Sequence, residues 1–565
     1  RFDETGTLAM KSLMRHELGF VDGGVHLDWN NVVDRIDKYK TLEGHTGCVN
    51  TLKWNGPGTV VVSGSDDRTI RMWDVEGNLL RSYETRHTGN IFGAEFIPAV
   101  EDRYLLTCAA DCLVTLMDLE RGEDIARWET RGRVKRLTTS PLVPYLAWSM
   151  SEDRYVRQHD VREATTTQLL KASSVGKTIA ASPLSEELLA IGAESVHVRV
   201  YDRRKMNRPL LTLCPADKRT ELVHYVTHVT FSKKRRQILA NYGRGSTYVF
   251  DCDPDREKDE DSVVIKLRKM NQEESTGKSM EDVSEATANV INESCEMIST
   301  MKYVQCIEKL SKCLTRKGMS NIDRSRLFAK RADAYSTRKW DGDTYAAARD
   351  NMDSFLSDPS NSQSLESLFF LLCQLEQHSL AVDILDLFRR RFPDQTEEAE
   401  CMEIRAREMG EVTRRRSVDL RSMSKSRRDY SERFTGHRND DTDIKEAIFF
   451  GEDEEFVLTG SDCGHMYIYD RKSATIATLL QADSHILNIV QPHPFLPLIA
   501  SSGVSHEIHL WSSYDEQIPR SEKKRSRISY TEAEPTIYSR NTQHILRDFI
   551  ILQRLQDRGP ECRVS

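Results

Sequence analysis

Few of the residue types that carry out chemistry are spaced here to do so. The twelve Cys are scattered without a CxxC pair, the nearest two being Cys108 and Cys112. That pattern fits neither a metal site nor a disulfide framework, and it suits a reducing compartment. HExxH, GxSxG and the phosphate-binding GxxxxGKS/T are absent from the sequence. No catalytic, metal-ligating or cofactor-binding residue is assigned, and the chain is expected to be non-catalytic. One polar set does have a telling spacing: His45, Ser63, Asp67 and Trp73, within TLEGHTGCVNTLKWNGPGTVVVSGSDDRTIRMWD. Asp67 falls in a tight turn, where its carboxylate accepts a hydrogen bond from His45. Ser63 and Trp73 extend that chain across short strands. Such a buried network is favourable only if every member is satisfied, so its chemistry is structural.

The elements that position this set repeat. Trp73-Asp74 has counterparts at Met117-Asp118, His159-Asp160, Tyr201-Asp202, Phe250-Asp251, Tyr469-Asp470 and Trp511-Ser512. Except across one long insertion, the intervals lie near the ~40–45 residues of a four-stranded propeller blade. Gly-His opening a repeat and Trp-Asp closing it is the mark of a WD blade. Seven blades result, five before the insertion and two after it. The polar network thins along the chain. The second repeat keeps His87, Thr107 and Asp111, the third keeps Asp153, and the sixth restores Gly436-His437. The other blades must rely on apolar strands. Lys38–Leu42 reads as a strand with no blade of its own, and it is expected to pair with the last blade and close the ring, since an open edge would leave backbone groups unpaired.

The insertion changes period. Over residues 281–411 apolar residues recur at three and four positions, as in helices. Cys306, Leu310 and Cys313 share a spacing with Ala348, Met352 and Phe355, and with Ala381, Leu385 and Phe388. These starts bracket the ~34-residue tetratricopeptide period, and three units are about the minimum for a stable stack. The organisation expected is a helical docking segment over 1–36, blades one to five over 37–252, and an acidic linker over 253–280. The tetratricopeptide-like module (281–411), a basic linker (412–433) and blades six and seven (434–515) follow. A tail with an amphipathic stretch covers 516–565. The fold class is mainly β, a seven-bladed propeller interrupted by an α insert. The last strand of blade five is either Val263–Leu267 or Tyr430–Phe434.

The 565 residues carry 80 Lys and Arg against 88 Asp and Glu, a net charge of −8. That balance argues against direct nucleic-acid binding, and no apolar run reaches the ~20 residues of a membrane helix. Residues 1–19 lack a signal-peptide core; with Arg1 first, the chain reads as a fragment or an alternative product. Arg162 and Arg204 each follow a blade-closing Asp by two residues. On adjacent blades they should project side by side, a paired guanidinium site suited to carboxylates or carbonyls.

The order of modules, with LEGHTGCVN, SGSDDRTIRMWD and VYDRR, resembles the adipose family of WD and tetratricopeptide repeats proteins. That family resembles in turn the WD-repeat substrate receptors of cullin-four ubiquitin ligases. The resemblance implies docking on the large subunit of the damage-specific DNA-binding protein, and thereby on cullin-four. Such receptors carry W-D-x-R; here Asp160 with Arg162 and Asp202 with Arg204 match, while His159 and Tyr201 replace the Trp. A helix ahead of the first blade also contributes in such receptors, and Leu13, Met14 and Leu18 are its anchors here. The resemblance further implies presentation of protein substrates for ubiquitination, a nuclear and cytoplasmic location, and restraint of fat storage. The competing reading is a scaffold outside any ligase, such as a chromatin corepressor that binds histones or histone deacetylases.

Overall fold

The computed structural model describes residues 28–100, 102–216, 224–253, 283–415 and 427–513, and of residues 410–415, 427 and 428 the backbone alone. Its strands form seven sheets, antiparallel except for one strand added at an edge. Blade one is Val49–Trp54, Val60–Ser65, Thr69–Asp74 and Leu79–Glu84. Blade two is Ile91–Phe96, Tyr104–Ala109, Leu113–Asp118 and Glu123–Glu129. Blade three is Val134–Thr139, Leu146–Ser151, Tyr155–Asp160 and Thr165–Lys171. Blade four is Gly176–Ala181, Leu188–Ala193, Val198–Asp202 and Leu211–Leu213. The innermost strands of blades five, six and seven are Tyr225–Phe231, Ala447–Phe450 and Leu487–Pro492. Each blade's innermost strand packs against those of its two neighbours, the seventh against the first, so the ring is closed.

Closure is covalently non-sequential. Asp37–Leu42 pairs antiparallel with Ile508–Ser512 and supplies the fourth strand of blade seven. Leu42, 2% exposed, lies in one apolar cluster with Trp73, Leu498 and Leu510. Ahead of it, helix α1 (Trp29–Arg35), N-capped by Asp28, buries Trp29, Val32 and Val33 against Phe450, Leu480 and Trp511. A chain beginning at Glu43 would leave the edge of Ile508–Ser512 unpaired. We expect it to melt more than about 5 °C below the full chain, since each kcal/mol shifts a large domain by about 2–4 °C. An unchanged melting curve would show that the strand is dispensable.

In blade one the polar set is a continuous network. His45 Nδ1 lies 2.8 Å from Asp67 Oδ2 and Nε2 lies 2.8 Å from Ser63 Oγ; Trp73 Nε1 donates to Ser63 Oγ at 3.0 Å. Burial opposes ionisation of Asp67, but donors from Thr69, Thr46 and His45 outweigh it and hold the carboxyl at about 2. Blade two repeats the pattern through His87, Asp111 and Thr107. In blade three His159 stands in the Trp position and meets Ser149 Oγ at 2.9 Å. Blade six departs from it: His437 turns to Tyr469 Oη and to Thr247 and Asn241 of blade five rather than to its own blade's Asp462. The Gly-His pair alone therefore does not rebuild the network.

Burial lowers several imidazoles, His159 and His437 to about 3 and His228 and His509 to about 4. Each takes up its proton on unfolding before it does so when folded. Their stabilisation is complete above about pH 6.5 and is lost as pH falls toward the folded values, by up to about 1.4 kcal/mol per pH unit for each. Melting temperature should fall steadily from pH 6.5 to 4, and His159→Gln should flatten that slope. An unaltered slope in this variant would remove His159 from the account.

The insert is helical, as its period demanded. It comprises α2 (Glu285–Ser299), α3 (Tyr303–Leu314), α4 (Asn321–Arg338), α5 (Asp343–Ser357), α6 (Ser362–Gln374), α7 (His378–Arg391) and α8 (Thr396–Arg415). Side-chain N-caps start three of them: Ser284, Ser320 and Asn361. The second helix of each pair carries the repeated triplet, and all nine residues are buried (Cys306, Leu310, Cys313; Ala348, Met352, Phe355; Ala381, Leu385, Phe388). Cys295 of α2 and Asp333 of α4 are exposed.

The module is bolted to the ring. Trp340 packs with Phe434, Phe449 and Tyr469, and Tyr345 with Tyr430. Blade five runs Gln237–Gly243, Thr247–Asp251 and then Glu432–Phe434 as its fourth strand, so of the two candidates Tyr430–Phe434 supplies it. This corrects the basic linker drawn over 412–433. Its final residues are propeller, and Arg427–Arg428 adds a fifth, parallel strand to blade four. Blade six continues through Phe456–Thr459, His465–Asp470 and Thr475–Gln481, and blade seven through Leu498–Gly503 and Ile508–Ser512.

Candidate functional site: a paired-arginine face

The third strands of blades three and four end at Asp160 and Asp202. In each, the carboxylate accepts the backbone N–H of the residue two further on, which fixes a tight turn: Arg162 N at 3.0 Å and Arg204 N at 2.9 Å. The same arginine then folds back on the same carboxylate. Arg162 donates from Nε to Asp160 Oδ1 at 3.0 Å and from Nη2 to Oδ2 at 2.6 Å. Arg204 repeats this on Asp202 at 3.1 and 2.9 Å. The hydrogen bonds from these guanidiniums hold both carboxyls below their ordinary range. The arginine side chains remain 57% and 55% exposed. Blades three and four adjoin, so the two forks present equivalent positions on one face of the ring.

Strand direction alternates within a blade, so turns joining the first and second strands share that face with turns joining the third and fourth. In blade three the first such turn holds Leu142 and Tyr145, 40% and 38% exposed, and in blade four it holds Leu184, 50% exposed. Leu210, 57% exposed, precedes the fourth strand of blade four. The Arg162 guanidinium lies 5.1 Å from the Tyr145 ring centroid, and Arg204 Nη1 reaches Glu187 of the neighbouring turn at 2.6 Å. Large apolar side chains standing in turns, beside ordered but exposed cations, form a surface with an apolar centre and charged anchors. The sequence reading found the arginines and missed these four residues. The signal was a Leu or Tyr in turns that solvent would otherwise fill with polar types.

Elsewhere the position two residues after the closing Asp is acidic in blades one, two and five (Glu76, Glu120, Asp253) and basic again in blade six (Lys472). Asp470 there accepts the Lys472 N–H, as in the other turns, but its other oxygen is engaged by Ser473 rather than by the lysine side chain. Leu13, Met14 and Leu18 lie outside the described residues.

The architecture defines a WD-repeat β-propeller with a helical-repeat module set between the third and fourth strands of its fifth blade. The WD domain, G-beta repeat family matches residues 37–74. Over 85% of both chains, this protein is 28% identical to "WD and tetratricopeptide repeats protein 1" of Homo sapiens, and 29% identical to that of Mus musculus. It is 25% identical to "Protein ALTERED SEED GERMINATION 2" of Arabidopsis thaliana over 86% of this chain and 87% of that one. A shorter stretch, 83 residues covering 15% of this chain and 9% of the other, is 52% identical to "DDB1- and CUL4-associated factor 6" of Homo sapiens. The family that the sequence resembled, the WD and tetratricopeptide repeats proteins, is the one named by the two relatives at 28% and 29% identity.

Proposed function

We propose that this chain is the target-recruiting, non-catalytic subunit of a cullin-four ubiquitin ligase. Blades three and four dock the large adaptor through Arg162, Arg204 and the apolar side chains around them. Asp160 and Asp202 act as positioning residues, holding each guanidinium in the orientation the partner meets. What carries the reading is the duplicated geometry: the same backbone turn and the same two-pronged ion pair, on adjacent blades, beside exposed Leu142, Tyr145, Leu184 and Leu210. An isolated exposed ion pair contributes little to stability, so two built alike on one face are better accounted for by a partner. Support also comes from the relative whose printed name associates it with DDB1 and CUL4. The chain's contribution to ubiquitination is proximity, raising the concentration of a bound target's lysines near a charged carrier.

The test is co-purification of the full chain with adaptor and cullin-four from cells, joined to proximity labelling with and without an inhibitor of cullin activation. Neighbours that accumulate only under inhibition are the expected targets. If adaptor and cullin never co-purify, the chain is a scaffold outside the ligase.

A further inference from the structure

A cleft of about 280 Å³ separates the helical module from blades five and six. One wall is formed by α3, α4 and α5. The other is formed by residues 430–435 and by residues 471–476, the turn between the third and fourth strands of blade six and the start of the fourth. Six cationic side chains line it against four carboxylates. Three of the cations are fully engaged. Arg331 chelates Asp350 at 2.7 and 2.7 Å, Arg338 chelates Asp343 at 2.8 and 2.8 Å, and Arg471 chelates Glu432 at 2.9 and 2.6 Å.

The surplus lies elsewhere. Arg349 donates from Nη1 to the Tyr430 carbonyl at 3.1 Å, and among the described residues it pairs with no carboxylate within 4.0 Å. The nearby Asp429 is taken up by the Tyr345 hydroxyl and by Ala216 N. Lys472 stands exposed on the blade-six rim without an ion pair among the described residues. Its counterparts in blades three and four fold back onto their own Asp, but Asp470 is already held by Ser473. Trp340, 5% exposed, presents a buried Nε1–H with no acceptor. Arg349, Lys472 and Trp340 are thus all donors, two of them cationic; Arg349 lies over the Tyr430 ring and in the longer-range field of Asp429 and Asp353, and Lys472 faces solvent.

We propose that this cleft binds a phosphorylated side chain carried on a peptide, with Arg349 and Lys472 as its charge anchors. A phosphorylated residue brings about −1.5 to −2 charges and three acceptor oxygens, which complements two cations that have no carboxylate within 4.0 Å among the described residues and a spare N–H group; a lone carboxylate offers one charge. A guanidinium fork suits phosphate geometry. The cleft lies along a stacked helical-repeat wall, the kind of surface that holds extended segments. The site stands on its own geometry and is independent of what docks at Arg162 and Arg204.

The experiment presents the full chain to an array of positionally degenerate phosphoserine peptides and to the same array unphosphorylated, with free phosphoserine as competitor. Phosphorylated members should be retained. Lys472→Glu and Arg349→Gln should each weaken retention at least tenfold, and because Lys472 is a rim residue its variant should melt as the parent does. Equal retention of the unphosphorylated array, or undiminished retention by Lys472→Glu, would overturn the proposal. So would retention of no member at all. Competition by free phosphoserine at concentrations as low as the peptides' own would show a small-phosphoester site and overturn the peptide reading.

Discussion

Replacing Arg162 and Arg204 together by Glu should abolish adaptor binding while leaving the propeller intact. The exposed forks hold charge where a partner would desolvate it, and truncation of such an anchor typically costs about 2 kcal/mol or more. Each single Ala variant should therefore weaken binding by about 30-fold, and the double Glu variant should fall below detection. Stability should hardly move. Asp160 and Asp202 keep the backbone donors of the turn, Arg162 N and Arg204 N, and an exposed ion pair is worth about 0–1 kcal/mol. Arg162→Lys separates charge from geometry. It preserves the cation but loses the two-pronged contact with Asp160 and the planar group beside Tyr145, so it should recover only part of the affinity. Leu184→Asp, which touches neither fork, should weaken binding as well if the apolar turns belong to the same surface. Dissociation constants against the purified adaptor, with melting curves as control, decide the matter. A change under threefold in the double Glu variant would detach this face from the proposed role.

The arginine forks were legible because they depend on register. A residue two places after a blade-closing Asp has its backbone turn and its face of the ring set by the repeat. Ring closure was legible for a similar reason, since Lys38–Leu42 precedes the first Gly-His with no blade to join, and the unpaired edge at Ile508–Ser512 requires a partner. The last strand of blade five was legible only as one of two candidates. Glu432–Phe434 has three residues, too few for alternation to appear, and it sits at the end of a basic run whose charge suggested a linker. What fixes it is tertiary: Phe434 is fully buried among Leu239, Val249 and Trp340, and no pattern within three residues announces that. The cleft between module and ring escaped the sequence altogether. Its two walls lie on elements far apart in the chain, α3 to α5 on one side and residues 430–435 and 471–476 on the other, and no local pattern joins them.

The same interface yields the largest expected loss of stability. Asp343 opens α5, is 0% exposed, and accepts hydrogen bonds from two guanidiniums belonging to different parts of the fold. Arg338 of α4 donates twice at 2.8 Å, Trp340 N donates at 2.9 Å, and Arg433, on the outer strand of blade five, donates at 3.1 Å. The Arg338 guanidinium also lies 3.9 Å from the Trp340 ring centroid. Asp343→Ala leaves two buried cations facing each other without a counter-charge, a change that typically costs about 3–5 kcal/mol. Part of that cost falls across the joint between module and ring, so denaturation should separate into two transitions, the helical insert unfolding first. Asp343→Asn retains the shape and one acceptor, and should cost less than the Ala variant. Arg433→Met in the Asp343→Ala background removes one of the stranded charges and should restore stability relative to Asp343→Ala alone, although Arg433→Met by itself destabilises. That reversal of sign is what a shared carboxylate predicts. If the two substitutions add independently in chemical denaturation, Asp343 serves its own helix only, and the coupling of the module to the ring must rest on the apolar contacts of Trp340 and Tyr345.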